Sequence, residues 1–251
     1  MNYIKKIILI LFINLIFAIT GDELINQMEN KPTPSNYKSN MTMTLTNKKG
    51  KVRISKIHSI IKDNGKKQIV WFLSPADDKG IAFLKIEHEN DYDQMQIWLP
   101  AFKKIKRISS KKRSDSFMGS DMSYEDMSTR KKMDYNFNIS KSEKYNNINC
   151  YILESIPKKN INSEYSKHYT WIDSSLLIPL KEISYDKNEK ILKEKEFNYK
   201  QINSFHILNK IIVKNIQNNH STKLIFDEIE LNIKIKDDLF HERHLKRIPQ
   251  L

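Results

Sequence analysis

Along most of the chain apolar and polar side chains alternate, the period-2 signature of β-strands with one buried face. Met41, Met43 and Leu45 interleave with Thr42, Thr44 and Thr46; residues 47–50 then turn the chain, and residues 52–61 return with Ile54 and Ile57. Asn64-Gly65 follows as a hairpin turn, since both residue types tolerate positive φ. Residues 69–73 (Ile-Val-Trp-Phe-Leu) are apolar without alternation, so this strand is expected to be covered on both faces. A loop at 75–80 leads to strands over 81–86 and 95–99 across an acidic turn at 87–93, and residues 104–108 alternate again. After a polar segment, strands are predicted at 150–156, 165–172, 180–185, 191–199, 211–216 and 223–233, with polar turns at 186–189 and 217–221. About ten strands in series with short connections predict an all-β meander rather than βαβ units. Helical spacing occurs near the ends. Residues 22–30, with Leu24, Ile25 and Met28, predict one short helix ended by Pro32 and Pro34, and residues 239–245 allow a second.

The first twenty residues follow another pattern. Lys5 and Lys6 precede an apolar run over 7–19 interrupted by Asn14, and polar sequence begins at Asp22-Glu23. This predicts a secretory signal peptide over 1–20, cut within 18–21. The run is shorter than the ~20 residues of a membrane-spanning helix. A single domain over 21–251 then remains, without repeats or Pro/Gly/Ser linkers, and its expected location is the periplasm, because no cysteine near the cut offers a lipid attachment point.

Composition removes whole classes of chemistry. Apolar residues make up 39% of the 251, enough for a core, which excludes general disorder. The five glycines, Gly21, Gly50, Gly65, Gly80 and Gly119, are not spaced for GxGxxG, a P-loop or GxSxG, so phosphate cradles and nucleophile elbows are absent. Cys150 is the only cysteine; it excludes internal disulfides, Cys-rich zinc sites and iron–sulfur clusters, and reads as a buried, inert thiol. His241 and His244 miss the HExxH spacing by one residue, His58 and His168 fall in strands, and no motif proposes a Ser-His-Asp triad. Asp121, Glu125 and Asp126 lack EF-hand spacing and read better as caps than as metal ligands. No catalytic residue, metal or cofactor is predicted. The formal charge is +13, with basic stretches at 103–107 and 111–113. An exported destination argues against nucleic acid as partner and leaves a solvated face or contact with anionic lipid head groups.

Residues 71–126 are more specific. Pro75-Ala76-Asp77 with Lys79-Gly80 precedes an Ala-Phe-Leu strand. Leu99-Pro100-Ala101, Arg107-Ile108-Ser109 and Ser116-Phe117-Met118-Gly119-Ser120-Asp121 follow, the last leading to Tyr124-Glu125-Asp126. Farther on stand Tyr165-Ser166-Lys167, Trp171-Ile172-Asp173, Pro179-Leu180-Lys181 and Asp238-Leu239-Phe240. On these residues the chain resembles the LolA-like family of outer-membrane lipoprotein-sorting proteins, across essentially the whole mature sequence. It departs from the pattern at Gln96-Ile97-Trp98-Leu99-Pro100, where family members more often carry Trp-x-Tyr-x-Leu-Pro.

The resemblance implies a mainly β fold: a strongly curved antiparallel sheet, an incomplete barrel, whose concave apolar face is covered by short helices and loops and holds acyl chains. It implies a periplasmic carrier or chaperone for lipoproteins or phospholipids, not an enzyme, serving the outer membrane with an inner-membrane exporter of the resistance-nodulation-division (RND) type as a partner. Trp71, Leu73, Phe83, Met95, Ile97, Trp98 and Phe102 are then candidates for the acyl-binding wall, and Phe117, Met118, Gly119, Asp121 and Tyr124 for a rim loop. The wall residues equally fit an ordinary β-core. The loop equally fits a plug at one end of the sheet, with Asp121 capping backbone amides. A sensor or exporter-docking module without transport is the alternative function, and an exported hydrolase ranks below it.

Overall fold

The computed structural model describes residues 19–89, 91 and 93–248. Among the described residues one helix, α1 (Gly21–Glu29), precedes the strands β1 (Tyr37–Thr46), β2 (Val52–Lys62), β3 (Lys67–Ser74), β4 (Ala82–Ile86), β5 (Gln94–Leu99) and β6 (Lys104–Arg107). After a long irregular stretch come β7 (Tyr135–Tyr145), β8 (Ile148–Pro157), β9 (Tyr165–Asp173), β10 (Pro179–Asp186), β11 (Ile191–Ile202), β12 (Phe205–Asn215) and β13 (His220–Leu231). All thirteen form one antiparallel sheet in the order β6-β5-β4-β3-β2-β1-β13-β12-β11-β10-β9-β8-β7. The chain enters at the centre, meanders to the β6 edge, crosses to the β7 edge and meanders back until β13 pairs with β1, Met43 opposite Leu224. The sheet is curved and open, with β6 and β7 as its edges, as the family resemblance implies.

The crossing, residues 108–134, defines the inner face. In β3 successive residues go to opposite faces, and both sets are buried: Val70 and Phe72 inward, Ile69 and Trp71 outward. The two-sided cover expected for 69–73 is therefore present. Inward, Phe72 and Phe83 pack against Phe117 of the crossing, with ring centroids 6.1 and 5.3 Å apart. Outward, Ile69, Trp71 and Leu84 lie under Phe240 and Leu245. Those two come from a pair of 3-10 helices, Asp237–Phe240 and Glu242–Lys246, in place of the single helix that 239–245 allow; His241 between them is extended and breaks the turn.

Helix α1 begins with a capping box: Thr20 Oγ1 accepts from the Glu23 amide at 3.2 Å, and the Glu23 carboxylate accepts from the Thr20 amide at 2.8 Å. Its Leu24 is fully buried against Tyr135, Phe137, Leu153 and Ile172, and Ile19 packs beside it. The signal segment expected over 1–20 lies, apart from Ile19 and Thr20, outside the described residues. No described helix is long and apolar enough to cross a membrane. The alternation rule missed β7, where Tyr135, Phe137 and Ile139 alternate until a bulge between Ile139 and Lys141 breaks the period.

Candidate functional site

The crossing fills the inner face unevenly. Phe117 and Tyr124 are packed against the β3–β4 side, whereas over β7–β12 the cover is the short helix α1 and residues 126–130. Between them lies a cavity of about 370 Å³. Its apolar wall is built from Ile25 and Met28 of α1, Met122 of the crossing, and Phe137, Leu153, Ile172, Phe197, Ile211 and Val213 of the strands. The strand residues follow from period 2: Leu153 with Ser155, Thr170 with Ile172, and Ile211 with Val213 share the inward face.

Charge gathers at one end of this cavity. Arg130 of the crossing donates to both Glu182 oxygens, at 2.6 and 2.9 Å, and its side chain retains 24% exposure. Lys195 Nζ donates to Glu182 at 2.9 Å and also to Asp126. Lys193 Nζ donates to Asp126 at 3.1 Å and to Glu164 at 2.9 Å, while the Tyr165 hydroxyl donates to Asp126 at 2.9 Å. Three cations thus face three carboxylates, which is what keeps so many buried charges tolerable. Burial would raise the Asp126 carboxyl, but Lys195 and Lys193 override it and hold the group well below the usual carboxylate range. Glu182 is depressed likewise, burial being outweighed by Arg130 and Lys195. His168, 0% exposed, lies with Nδ1 3.1 Å from Arg130 Nη2 and 2.8 Å from Ser184 Oγ. Burial first, and then the Arg130 charge, push its pKa well below the ordinary value, so the ring is neutral with Nδ1 as acceptor. Together these bonds fasten residues 126–130 to β9, β10 and β11.

The residues singled out from sequence are distributed as follows. Phe83, Met95 and Ile97 point inward, at most 4% exposed, within the packed cluster around Phe117 rather than along the cavity. Trp71 and Trp98 point outward, and Lys246 Nζ lies 5.5 Å from the Trp98 ring. Leu73 is half-buried near the end of β3, and Phe102, 71% exposed, stands at the tip of the β5–β6 hairpin. None of these seven lines the cavity. The loop residues do come together. Phe117 and Tyr124 form an edge-on pair 5.8 Å apart, Met118 and Gly119 take left-handed backbone with φ of 51° and 73°, and Asp121 accepts from Thr222 Oγ1 at 2.7 Å.

The acidic trio is split among separate partners: Asp121 with Thr222 and His220, Glu125 with the Tyr135 hydroxyl, and Asp126 with the lysines. Among the described residues no group of His, Cys, Asp and Glu could hold a metal ion. Cys150 is buried, and burial pushes its thiol pKa up, away from reactivity.

Comparison with known proteins places this architecture. The family model that matches residues 64–247 carries the description "uncharacterized protein". A domain from Vibrio parahaemolyticus described as an outer membrane lipoprotein-sorting protein superposes with a TM-score of 0.83 at 32% identity, over 90% of this chain and 98% of that one. The chain belongs to the LolA-like family. A DUF1329 family protein from Desulfovibrio piger is similar to the same degree in fold, with a TM-score of 0.83 at 26% identity over 90% and 97% of the two chains. A LolA superfamily protein from Nitrosomonas europaea, 17% identical over 90% of this chain and all 100% of its own, shares the LolA-like fold with a TM-score of 0.71. No curated protein matches the sequence. The residues at 116–126 that carried the LolA-like resemblance are those that plug the inner face.

Proposed function

We propose that this LolA-like protein is a periplasmic carrier that holds the acyl chain of a lipid or lipoprotein in the inner-face cavity and hands it on toward the outer membrane. The observation that supports this reading is the cavity's polarity: an apolar wall from α1 and β7–β12 leads to Arg130, Glu182 and Lys195 at one end. Its volume of about 370 Å³ falls in the range of ligand sites, ~300–1,000 Å³. An acyl chain against Ile172, Phe197 and Ile211 would gain ~0.8 kcal/mol per buried methylene, so ten methylenes supply roughly 8 kcal/mol before the cost of association. Such binding reads chain length more than head group. Arg130, the part-exposed cation, is where a polar head would meet the protein. An RND-type exporter as donor or acceptor is the partner that the family resemblance suggests.

The test is displacement of a fluorescent fatty-acid probe from delipidated protein. Ile211→Trp, which fills the cavity from β12, is expected to weaken the probe at least about ten-fold, whereas Phe102→Ala at the hairpin tip leaves it unchanged. A probe that does not bind, or that binds equally after Ile211→Trp, refutes the reading. Transfer of labelled lipid between donor and acceptor vesicles separates delivery from sensing, because a sensor binds without accelerating transfer.

A further inference from the structure

Of the six connections at one end of the sheet, four neighbour one another from the β6 edge inward: β5–β6 (residues 100–103), β3–β4 (75–81), β1–β2 (47–51) and β12–β13 (216–219). Four of the six exposed large apolar side chains among the described residues sit there: Val52 (51% exposed), Ile54 (52%), Phe102 (71%) and Ile216 (47%). Six lysines surround them, Lys48, Lys49, Lys51, Lys79, Lys103 and Lys104, all exposed, and among the described residues none of the six is in an ion pair. The same connections carry only two carboxylates, and one of these, Asp78, is held by Arg53 at 2.8 Å. At the opposite end of β2–β5 the balance reverses: residues 63–66 and 87–93 carry five carboxylates and one lysine.

The basic end is also built to keep its shape. Asn47 Oδ1 accepts from the amides of Lys49 and Lys51, each at 3.0 Å, which fixes the β1–β2 turn with its lysines outward. At the hairpin tip Lys103 is left-handed (φ 49°) and its amide donates to the Pro100 carbonyl at 3.0 Å, while Pro100 Cγ lies 3.3 Å from where a Cβ on Gly80 would stand. Phe102 is therefore held in solvent by a seated tip. Apolar side chains ringed by lysines with long aliphatic stems are complementary to the boundary between head groups and acyl chains of a negatively charged bilayer.

We infer that this end of the sheet, with Phe102, Val52 and Ile54 as its apolar contacts, is a docking surface for anionic lipid bilayers. It shares no residue with the cavity, so the two readings stand or fall separately. The experiment is flotation of the full chain with vesicles of phosphatidylcholine alone or mixed with phosphatidylglycerol, alongside the fatty-acid probe assay on the same samples. Binding is expected with the mixed vesicles only and is expected to weaken with added salt. Lys48→Gln and Lys103→Gln should each weaken it about five-fold, and Phe102→Ser about ten-fold, with probe binding in the cavity unchanged. Binding that is equal for neutral and anionic vesicles, or unaffected by all three substitutions, overturns the inference. So does absence of flotation by a chain that binds the probe, or a Phe102-dependent dimer in sedimentation without vesicle binding; either result leaves the carrier reading intact. Flotation by a chain that does not bind the probe supports the docking surface and removes the carrier reading.

Discussion

Acidification is expected to weaken this fold through His168, at pH values where the carboxylates of the same network are still ionised. In the native state the ring is fully buried and its Nδ1 accepts from Arg130; a proton on Nδ1 would have to face that guanidinium. The folded pKa therefore lies well below the unfolded value of 6.5. With the folded value depressed, the unfolded chain takes up the proton first, so stability is full above about pH 6.5 and falls as the pH drops below it. Between the unfolded and the folded value the loss approaches ~1.4 kcal/mol for each pH unit. His58, depressed by burial and then by Lys38, adds a contribution of the same sign. The comparison with His168→Gln isolates the His168 part, because the glutamine oxygen can still accept from Arg130 but does not titrate. Urea unfolding free energies measured for both proteins between about pH 7.5 and about pH 5 supply the test. The variant should be less stable at neutral pH and less sensitive to acid; identical pH slopes would refute the reasoning.

Three further outcomes are expected. Asp126→Asn leaves Lys193 and Lys195 buried beside a neutral amide and should cost ~3–5 kcal/mol in urea unfolding, with faster hydrogen exchange in residues 108–134; a loss under about 1 kcal/mol would mean that the network is not what fastens the crossing. Gly21→Ala would put a Cβ 2.3 Å from the Phe137 carbonyl oxygen, so α1 must shift off β7 and the melting temperature should fall, by an overpacking cost of roughly 1–3 kcal/mol. Phe83→Ala, 0% exposed and in ring contact with Phe117 and Tyr124, should destabilise by ~3–5 kcal/mol. By contrast Phe102→Ala, 71% exposed, should stay within about 0.5 kcal/mol of the native protein; similar losses at both positions would contradict the assigned packing.

Strand positions were legible because period 2 survives wherever one face is buried, as in β1, where Met41, Met43 and Leu45 face inward between threonines. The cavity was harder to see. Residues that are apolar on both faces, such as those of β3, mark where the sheet is covered twice, and coverage that complete leaves no room for a ligand. The cavity wall instead uses strands that look half-exposed, where Ile211 and Val213 alternate with Ile212 and Lys214. One signal at the charged end was available: Lys193 and Lys195 share parity with Phe197, so period 2 puts two lysines on an apolar-facing side, where they need carboxylate partners. That Asp126 is one of those partners, and that Arg130 stands beside another, Glu182, could not be read from sequence, because residues 108–134 follow no period and their path across the sheet is set by tertiary contacts.

The path of the chain also has a consequence for how the sheet assembles. Each half, β1–β6 and β7–β13, is a succession of neighbouring hairpins whose ladders close short loops, so each can zip locally. The β1–β13 ladder is different, since it sets Tyr37 opposite Leu231 and must wait for almost the whole chain. The entropy of closure is concentrated in that one seam, and formation of the seam is the expected slow step. Residues 108–134 straddle it, with Phe117 on β3 and β4, Asp121 on Thr222 of β13 and Asp126 on β11. A segment that covers the inner face thus also acts as a clasp that can close only when both half-sheets have met. Until it does, the apolar inner surface stays open to the aqueous compartment in which the protein folds.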